Sequence, residues 1–563
     1  SFDGSRSDFA DNGSHARTLL HYIYVCDPGR MYPAGTVELY MGKMEGILDV
    51  GKQAEVYKNY WVTIESLIGK DNIEKFFYDF LVSKDTRYIE EKRVYENFKK
   101  YYINRNIVGI EGIENIFTEI VRYAQYYKLL VLNNSKDYDE ETNNLCNIFN
   151  ILQHRTIYPF MLKVCYDFDD IRKLHIINKN DEGQDVKIEL SNEEKNLLIE
   201  REKEFKNIIR LFGNYAMRRN IANIPSSSLR RFYASLYNKI FEKNKSNYNC
   251  YFKACEAYLC TLKTEDRMPN DNTFKEGLLY SNMYAAAKTK ILRYFFDLIE
   301  NSGKEPVDMS ELTIEHIMPE TLSSQWKNSL GDNFQEIYDK YVHTLGNLSI
   351  TGYNSEYSND PFLSKKKRYN NMLESGETKI VKLNEELKNN VNKECNIEVW
   401  NDVQIEKRAE RLSKIIMSKF SYPKDVDTTL EFEKFFEFYI DNPDDNADEF
   451  ENNPTYKLYG FQFEGNKYRA DNYRTIFKEI IKLLYNIDNS VLDDLANSNY
   501  TYERGKTIRF SRTKENDHQE EILPSLFVYT NYSRSTIFDW IRNLFNRYQL
   551  DITLFSLLFV EKD

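Results

Sequence analysis

Apolar and aromatic side chains recur at helical spacing from Tyr57 to Tyr127, as in Phe76, Phe77, Phe80 and Leu81, with polar residues between them and few glycines to interrupt them. A period of three to four residues stripes one face of a helix, whereas a half-buried strand needs strict alternation, so this stretch predicts packed helices. The pattern begins again within the polar stretch Asn133 to Asn144, runs through Tyr158 to Phe168, and resumes at Glu193. Between these blocks Asn178 to Leu190 reads as a loop or short hairpin. With 563 residues the chain exceeds what one hydrophobic core organises, so three or four compact units are expected.

Several classes are excluded by what the chain lacks. The longest apolar candidate, Ile552 to Val560, is far short of the roughly 18 to 20 residues of a membrane span. The start, Ser1 to Ser14, is polar and has no apolar segment of a secretory signal, so a cytoplasmic location is expected. Seven scattered Cys are not a disulfide framework. Cys250, Cys255 and Cys260, five apart, match no usual zinc spacing and read as small buried hydrophobes. A net charge of -12 argues against a uniformly basic nucleic-acid coat, although a local basic patch can still meet phosphates.

Further along, Arg218 and Arg219 precede Ile221 to Pro225, and Ser226, Ser227 and Ser228 form a helix-start signal before Leu229 and a helix bearing Arg230 and Arg231. Tyr280 to Glu300 reads as one helix, ended by Asn301, Ser302 and Gly303, and Lys379 to Lys419 as another with charged faces. Asp441 to Pro454 is an acidic, proline-containing linker, and the tail beyond it alternates strand-like Leu458 to Phe463 and Phe527 to Tyr529 with helices at Tyr473 to Tyr485 and Thr536 to Tyr548. In the tail, Ser533 before the last of these helices reads as an ordinary cap, with a phosphate contact as the alternative.

The mixed segment Glu311 to Ser375 carries the chemistry. Leu312 to Pro319 is an alternating, strand-like run that delivers Glu315 and His316 into a turn closed by proline. Twenty-seven residues after His316, His343-Thr344-Leu345-Gly346-Asn347-Leu348-Ser349-Ile350-Thr351-Gly352 reads as a second strand entered from a glycine turn, with Asn354 just beyond. Asn359-Asp360-Pro361-Phe362 then supplies a cap and a first-turn proline for a helix bearing Lys365, Lys366, Lys367 and Arg368. Phosphodiester hydrolysis needs an activated water and neutralisation of the developing charge. A histidine of ordinary pKa, about 6.5, can take the proton at neutral pH, and Glu315 and Asn354 are hard oxygen donors suited to Mg2+. Adjacent strand residues point to opposite faces, so Glu315 and His316 serve one phosphate only if the strand end twists. A histidine beside a carboxylate is by itself more often structural, and a lysine run more often a solvated helix face.

The order strand, strand, helix, with the acid-histidine pair on the first strand and Asn on the second, resembles the ββα-metal fold of HNH nucleases, or His-Me fingers. More narrowly, EHIMP, HTLGNLSITGYN and SNDPFLSKK resemble the nuclease domain of GmrSD-type Type IV restriction enzymes, and Tyr57 to Lys100, Met217 to Phe232 and Pro269 to Glu300 resemble the helical part that precedes it. The resemblance implies a Mg2+- or Mn2+-dependent endonuclease of bacterial anti-phage restriction acting on double-stranded DNA, modified phage DNA included. By it His316 matches the general base, Glu315 the first metal ligand and Asn354 the second. Asn347 orders the loop of the catalytic segment and His343 supports catalysis or contacts phosphate. Lys365 and Lys366, with Arg218 and Arg219, are the candidate DNA contacts, salt bridges being the alternative for the arginines.

The fold class expected is therefore mainly α: an unassigned segment 1–54, a helical domain 55–300, an HNH-like ββα-metal domain 301–420, an acidic linker region 421–454, and a small α+β domain 455–563. The family's usual Asp-Gly-Gln-Gln-Arg run is not found, nor is a Walker A loop, so a nucleotide-binding sensor is expected on a partner or in sequence outside this chain. One site cuts one strand, so double-strand cleavage calls for a homo-oligomer or two encounters. Two alternatives stay open: a non-catalytic DNA-binding scaffold of a defence system, and an RNase effector using the same chemistry.

Overall fold

The computed structural model describes residues 57–85, 94, 98, 101, 109–179, 185–242, 250–262, 264–302, 306–352, 359–389, 396–430, 432, 435–440, 456–501 and 507–561. The segment 1–54, Asn354 and the acidic linker 441–454 lie outside the described residues. The chain divides into two compact units, Ser1–Glu431 and Phe432–Asp563.

The first unit opens with helices α1 (Val62–Ile68), α2 (Ile73–Asp85), α3 (Gly109–Tyr127), α4 (Glu140–Ile151) and α5 (Tyr158–Asp167). Their aromatic stripes interlock: Phe76 of α2 meets Tyr127 of α3 edge-on at 5.4 Å between ring centres, and Phe80 meets Tyr123 at 5.1 Å. Offset and edge-on pairs of this kind add to the burial of the rings themselves. A short antiparallel hairpin, β1 (Ile177–Lys179) and β2 (Asp185–Lys187), leads to the 30-residue α6 (Asn192–Ile221). Its start is a reciprocal cap, Glu194 N–H donating to Ser191 Oγ while Ser191 N–H donates to the Glu194 carboxylate. Then come α7 (Leu229–Tyr237), α8 (Tyr251–Thr261), α9 (Asp271–Tyr280) and α10 (Thr289–Glu300). On α8, Cys255 and Cys260 are buried, as free thiols.

Three local expectations are corrected. Helix α7 does begin at Leu229, but Ser228 has helical backbone and its hydroxyl donates to Asp266 at 2.8 Å instead of capping. The stretch Tyr280 to Glu300 is not one helix. Asn282 Oδ1 accepts from the backbone N–H of Tyr284 and Ala285, a side-chain-to-backbone pattern that competes with the helical ladder, so 281–288 is a loop. Pro361 occupies the cap position of its helix and not the first turn, and Asp360 pairs with Arg368 at 3.2 Å.

The remainder of the unit is β3 (Thr313–His316), α11 (Ser324–Leu330), α12 (Phe334–Tyr341), β4 (Leu348–Thr351), α13 (Phe362–Ser375) and α14 (Asp402–Lys419). Of the long helix expected over Lys379 to Lys419, the described residues contain α14 and one short turn at Glu385–Leu387. Strands β3 and β4 pair antiparallel, Glu315 opposite Ser349 and His316 opposite Leu348. The core beneath them gathers Ile317, Met318, Trp326, Tyr341, Phe362 and Trp400, with Phe362 stacked on Trp400 at 5.3 Å. Helix α14 approaches the loop before β4 so closely that a Cβ on Gly346 would lie 2.3 Å from the carbonyl oxygen of Ile405.

The second unit is α+β. Strand β5 (Phe435–Phe438), drawn from the region expected to be linker, joins β6 (Tyr456–Phe463), β7 (Asn466–Arg469) and β11 (Phe555–Glu561) in an antiparallel sheet of order β5-β11-β6-β7. A second sheet of order β8-β10-β9 consists of β8 (Phe510–Ser511), β9 (Gln519–Leu523) and β10 (Leu526–Tyr529). Helices α15 (Tyr473–Ile487), α16 (Asn489–Asn497) and α17 (Arg534–Arg547) complete the unit and supply Phe477, Ile480, Leu492, Trp540 and Leu544 to its core. The cap of α17 is Ser533, whose hydroxyl accepts from Thr536 N–H. Among the described residues, no helix of either unit is long and apolar enough to cross a membrane.

Candidate active site

Asn347 braces the turn after β3, with Tyr338 Oη–H donating to the Glu320 carbonyl at 2.6 Å. Asn347 is fully buried; its Oδ1 accepts from Met318 N–H at 2.8 Å and from Trp400 Nε1–H at 3.0 Å, while its Nδ2 donates to the carbonyls of Met318 at 2.8 Å and Val342 at 2.9 Å. Both amide protons and both acceptor positions are thereby used, so Asn347 fixes the loop and has no capacity left for substrate. Underneath, Arg408 of α14, also fully buried, donates to the carbonyls of Gly346, Leu348 and Leu383 at 2.8–3.1 Å and pairs with Glu386 at 3.3 Å. Burial pulls its guanidinium down to about 10, against the attraction of Glu386.

Glu315 and His316 leave the strand in different directions, as alternation requires. The Glu315 carboxylate is buried and receives Lys365 Nζ at 2.6 Å; the same ammonium donates to the His316 carbonyl at 2.8 Å. Burial pushes the Glu315 carboxyl up and the Lys365 ammonium down, each offset in part by the other. The two line a small cavity of about 20 Å³ with Ile317, Ile350, Tyr369 and Met372, room for little more than a water molecule.

On the other face His316 is 7% exposed. His316 Nε2 lies 3.1 Å from His343 Nδ1, and its Nδ1 lies 3.8 Å from the carboxylate of exposed Glu320. Tyr284 covers both imidazoles, edge-on to His316 at 4.6 Å and stacked on His343 at 5.5 Å. Its loop is tied down where Met283 N–H donates to the His343 carbonyl at 2.8 Å. Burial first, then the nearby His343 and Lys365, lower the His316 pKa to about 4. The ring is therefore neutral at pH 7, below the ordinary value expected from sequence.

The expected residues thus separate into groups. His316 and His343 come together, with Asn347 bracing the turn between them. Glu315 lies apart, paired with Lys365, and Asn354 is outside the described residues. Four expected DNA contacts are buried and engaged within the protein. Lys365 is spent on Glu315, and Lys366 donates to the Ile397 carbonyl at 2.9 Å. Arg218, fully buried, joins the carbonyls of Pro269 and Phe420 and the carboxylate of Asp271; Arg219, 2% exposed, joins those of Glu265 and Pro225. Sequence reading missed Tyr284, Glu320 and Arg408. Glu320 had a signal, four residues after His316 and just past the proline; Tyr284 was hidden in a stretch read as helix, and Arg408 in a charged helix.

A Mg2+ ion prefers oxygen donors and retains several waters. The described residues do not fit such an ion at Glu315, because an ammonium already occupies the carboxylate and the adjoining cavity has no room for a hydrated cation. Among the described residues, the group of possible metal donors is instead His316, Glu320 and His343, whose ligand atoms lie within 4.8 Å of one another.

Residues 268–415, about a quarter of the chain, match the family model of the GmrSD restriction endonucleases, C-terminal domain. The matched span runs from just before α9 into α14 and contains every residue of the site described above. No curated protein matches the chain.

Proposed function

We propose that this chain, which carries the C-terminal domain of the GmrSD restriction endonucleases, hydrolyses phosphodiester bonds of foreign or modified DNA in bacterial restriction, with His316 as the general base of an HNH-type site. The observation that carries the reading is the His316–His343 imidazole pair, fixed at the end of a short strand within the matched domain and beside exposed Glu320. In the tautomer protonated at Nδ1, the side facing Glu320, Nε2 bears the lone pair that takes a proton from the attacking water. At rest His343 Nδ1–H donates to that nitrogen at 3.1 Å and yields it to the water, while Tyr284 packs against both rings. Glu315 and Lys365 act from behind: their ion pair and the lysine's bond to the His316 carbonyl keep the strand end rigid.

The proposal includes dependence on Mg2+ or Mn2+ and action on duplex DNA, with recognition of the DNA to be cut assigned to a partner that binds nucleotide. The test is incubation of wild-type and His316→Ala protein with supercoiled plasmid and modified phage DNA, with and without Mg2+ or Mn2+, and with RNA as competitor. Nicked or linear DNA from wild type alone is expected; preferential RNA cleavage would transfer the chemistry to an RNase.

The Glu315–Lys365 pair favours a second reading, a DNA-binding scaffold that keeps the strand-strand-helix shape without catalysis, because the acid expected to hold the cation is neutralised by a lysine. This reading predicts DNA binding unchanged by His316→Ala and no strand breaks in any divalent metal.

A further inference from the structure

We propose that His316, Glu320 and His343 form a binding site for a divalent transition-metal ion of the zinc class, separate from any role of Mg2+. Two imidazole nitrogens and a carboxylate are a donor set that borderline ions accept and that Mg2+ does not favour. The spacing suits it. Two nitrogens bound at about 2.0–2.1 Å on a tetrahedral ion stand about 3.3–3.4 Å apart, and His316 Nε2 and His343 Nδ1 face each other at 3.1 Å. Without the ion the two inner nitrogens share one hydrogen, and the ion takes its place as that ring moves its proton to the outer nitrogen.

The donors are held in advance. His316 ends a paired strand, the His343 carbonyl is tied to Met283 N–H, and Tyr284 packs against both rings. Such support is what fixes imidazole ligands in metal sites. Glu320 is the adjustable member: exposed, beyond the turn at Pro319, it completes the set by a change of rotamer, with its group already within 4.8 Å. Three protein donors leave a position open to solvent.

One consequence rests on the reading of His316 as the base. An ion bound at Nε2 occupies the lone pair that would take the proton, so zinc-class ions inhibit cleavage while Mg2+ does not compete for the site.

Binding is tested apart from catalysis. The full chain is titrated with Co2+, read by its ligand-field absorption, then with Zn2+ as competitor and Mg2+ in large excess. One Co2+ per chain is expected, displaced by Zn2+ and not by Mg2+. Affinity falls at least about tenfold in Glu320→Gln and about a hundredfold in His343→Ala. Circular dichroism confirms folding, and Glu320→Gln, at an exposed position, keeps the test valid should His343→Ala unfold. Absence of saturable binding, or equal affinity in wild type and a folded Glu320→Gln, overturns the site. Saturable binding lost in the variants, with DNA cleavage indifferent to Zn2+, upholds the site and removes His316 as the base.

Discussion

On one side of the strand Thr313–His316, Glu315 meets a lysine in a closed cavity; on the other, His316 meets a second imidazole, a tyrosine face and an exposed glutamate. The two residues are neighbours in the chain, and the strand's alternation sends them into surroundings of opposite kind. The closed side spends its charges on each other and holds the backbone. The other side sets a hydrogen-bonded pair of imidazoles beside an exposed carboxylate. Adjacency in a motif therefore does not establish a shared role, since an acid beside a histidine can be a fastening.

The sharpest way to break this contrast is to remove the base. His316→Ala is expected to lower DNA cleavage by about 10²- to 10⁴-fold, with a urea midpoint close to that of wild type; equal cleavage by the two proteins would dissolve the distinction between the faces.

The closed face should answer in stability. Lys365→Met leaves the Glu315 carboxylate buried without its partner and is expected to cost about 3–5 kcal/mol, most of it recovered in the double variant Glu315→Gln/Lys365→Met. The sign with pH follows from burial, which holds the folded Glu315 carboxyl above its unfolded value. The penalty is largest above the folded pKa and shrinks as pH falls through it, when the carboxyl takes up a proton. Urea unfolding of the single and double variants at two pH values measures this, and a single variant whose penalty grows on acidification contradicts it.

Gly346→Ala tests how far the His316 face depends on α14. The added Cβ would meet the Ile405 carbonyl, so a loss of about 1–3 kcal/mol is expected with a parallel fall in cleavage. A stable but inactive variant would mean that the loop repacks without restoring His316. The smallest effect is expected from Tyr284→Leu, which removes aromatic contacts worth about 0.5–1.5 kcal/mol and should change cleavage less than tenfold while leaving the urea midpoint nearly unmoved.

Much of this architecture was legible in the chain. Helical spacing marked α1 to α6, alternation marked β3 and β6, and the residues of the matched domain that resemble a known family were visible as motifs. What was not legible depends on contacts between distant segments. Whether Lys365 points to a phosphate or to Glu315 is decided by how α13 lies across β3, which no local pattern encodes. Arg218 and Arg219 read as surface cations because their partners, the carbonyls around residues 265, 269 and 420, are far away in sequence. Tyr284 was concealed by an alanine-rich run that resembles helix until Asn282 diverts the backbone.

Arg408 gives the site a calendar. The strand carrying His316 and the loop carrying Asn347 are both complete long before residue 408 is synthesised, yet the carbonyls that shape that loop are gathered by this arginine. A nascent chain halted before α14 would carry the whole motif with no keystone beneath it. Assembly of the loop that carries Asn347 is thereby postponed until nearly the entire first unit has been synthesised.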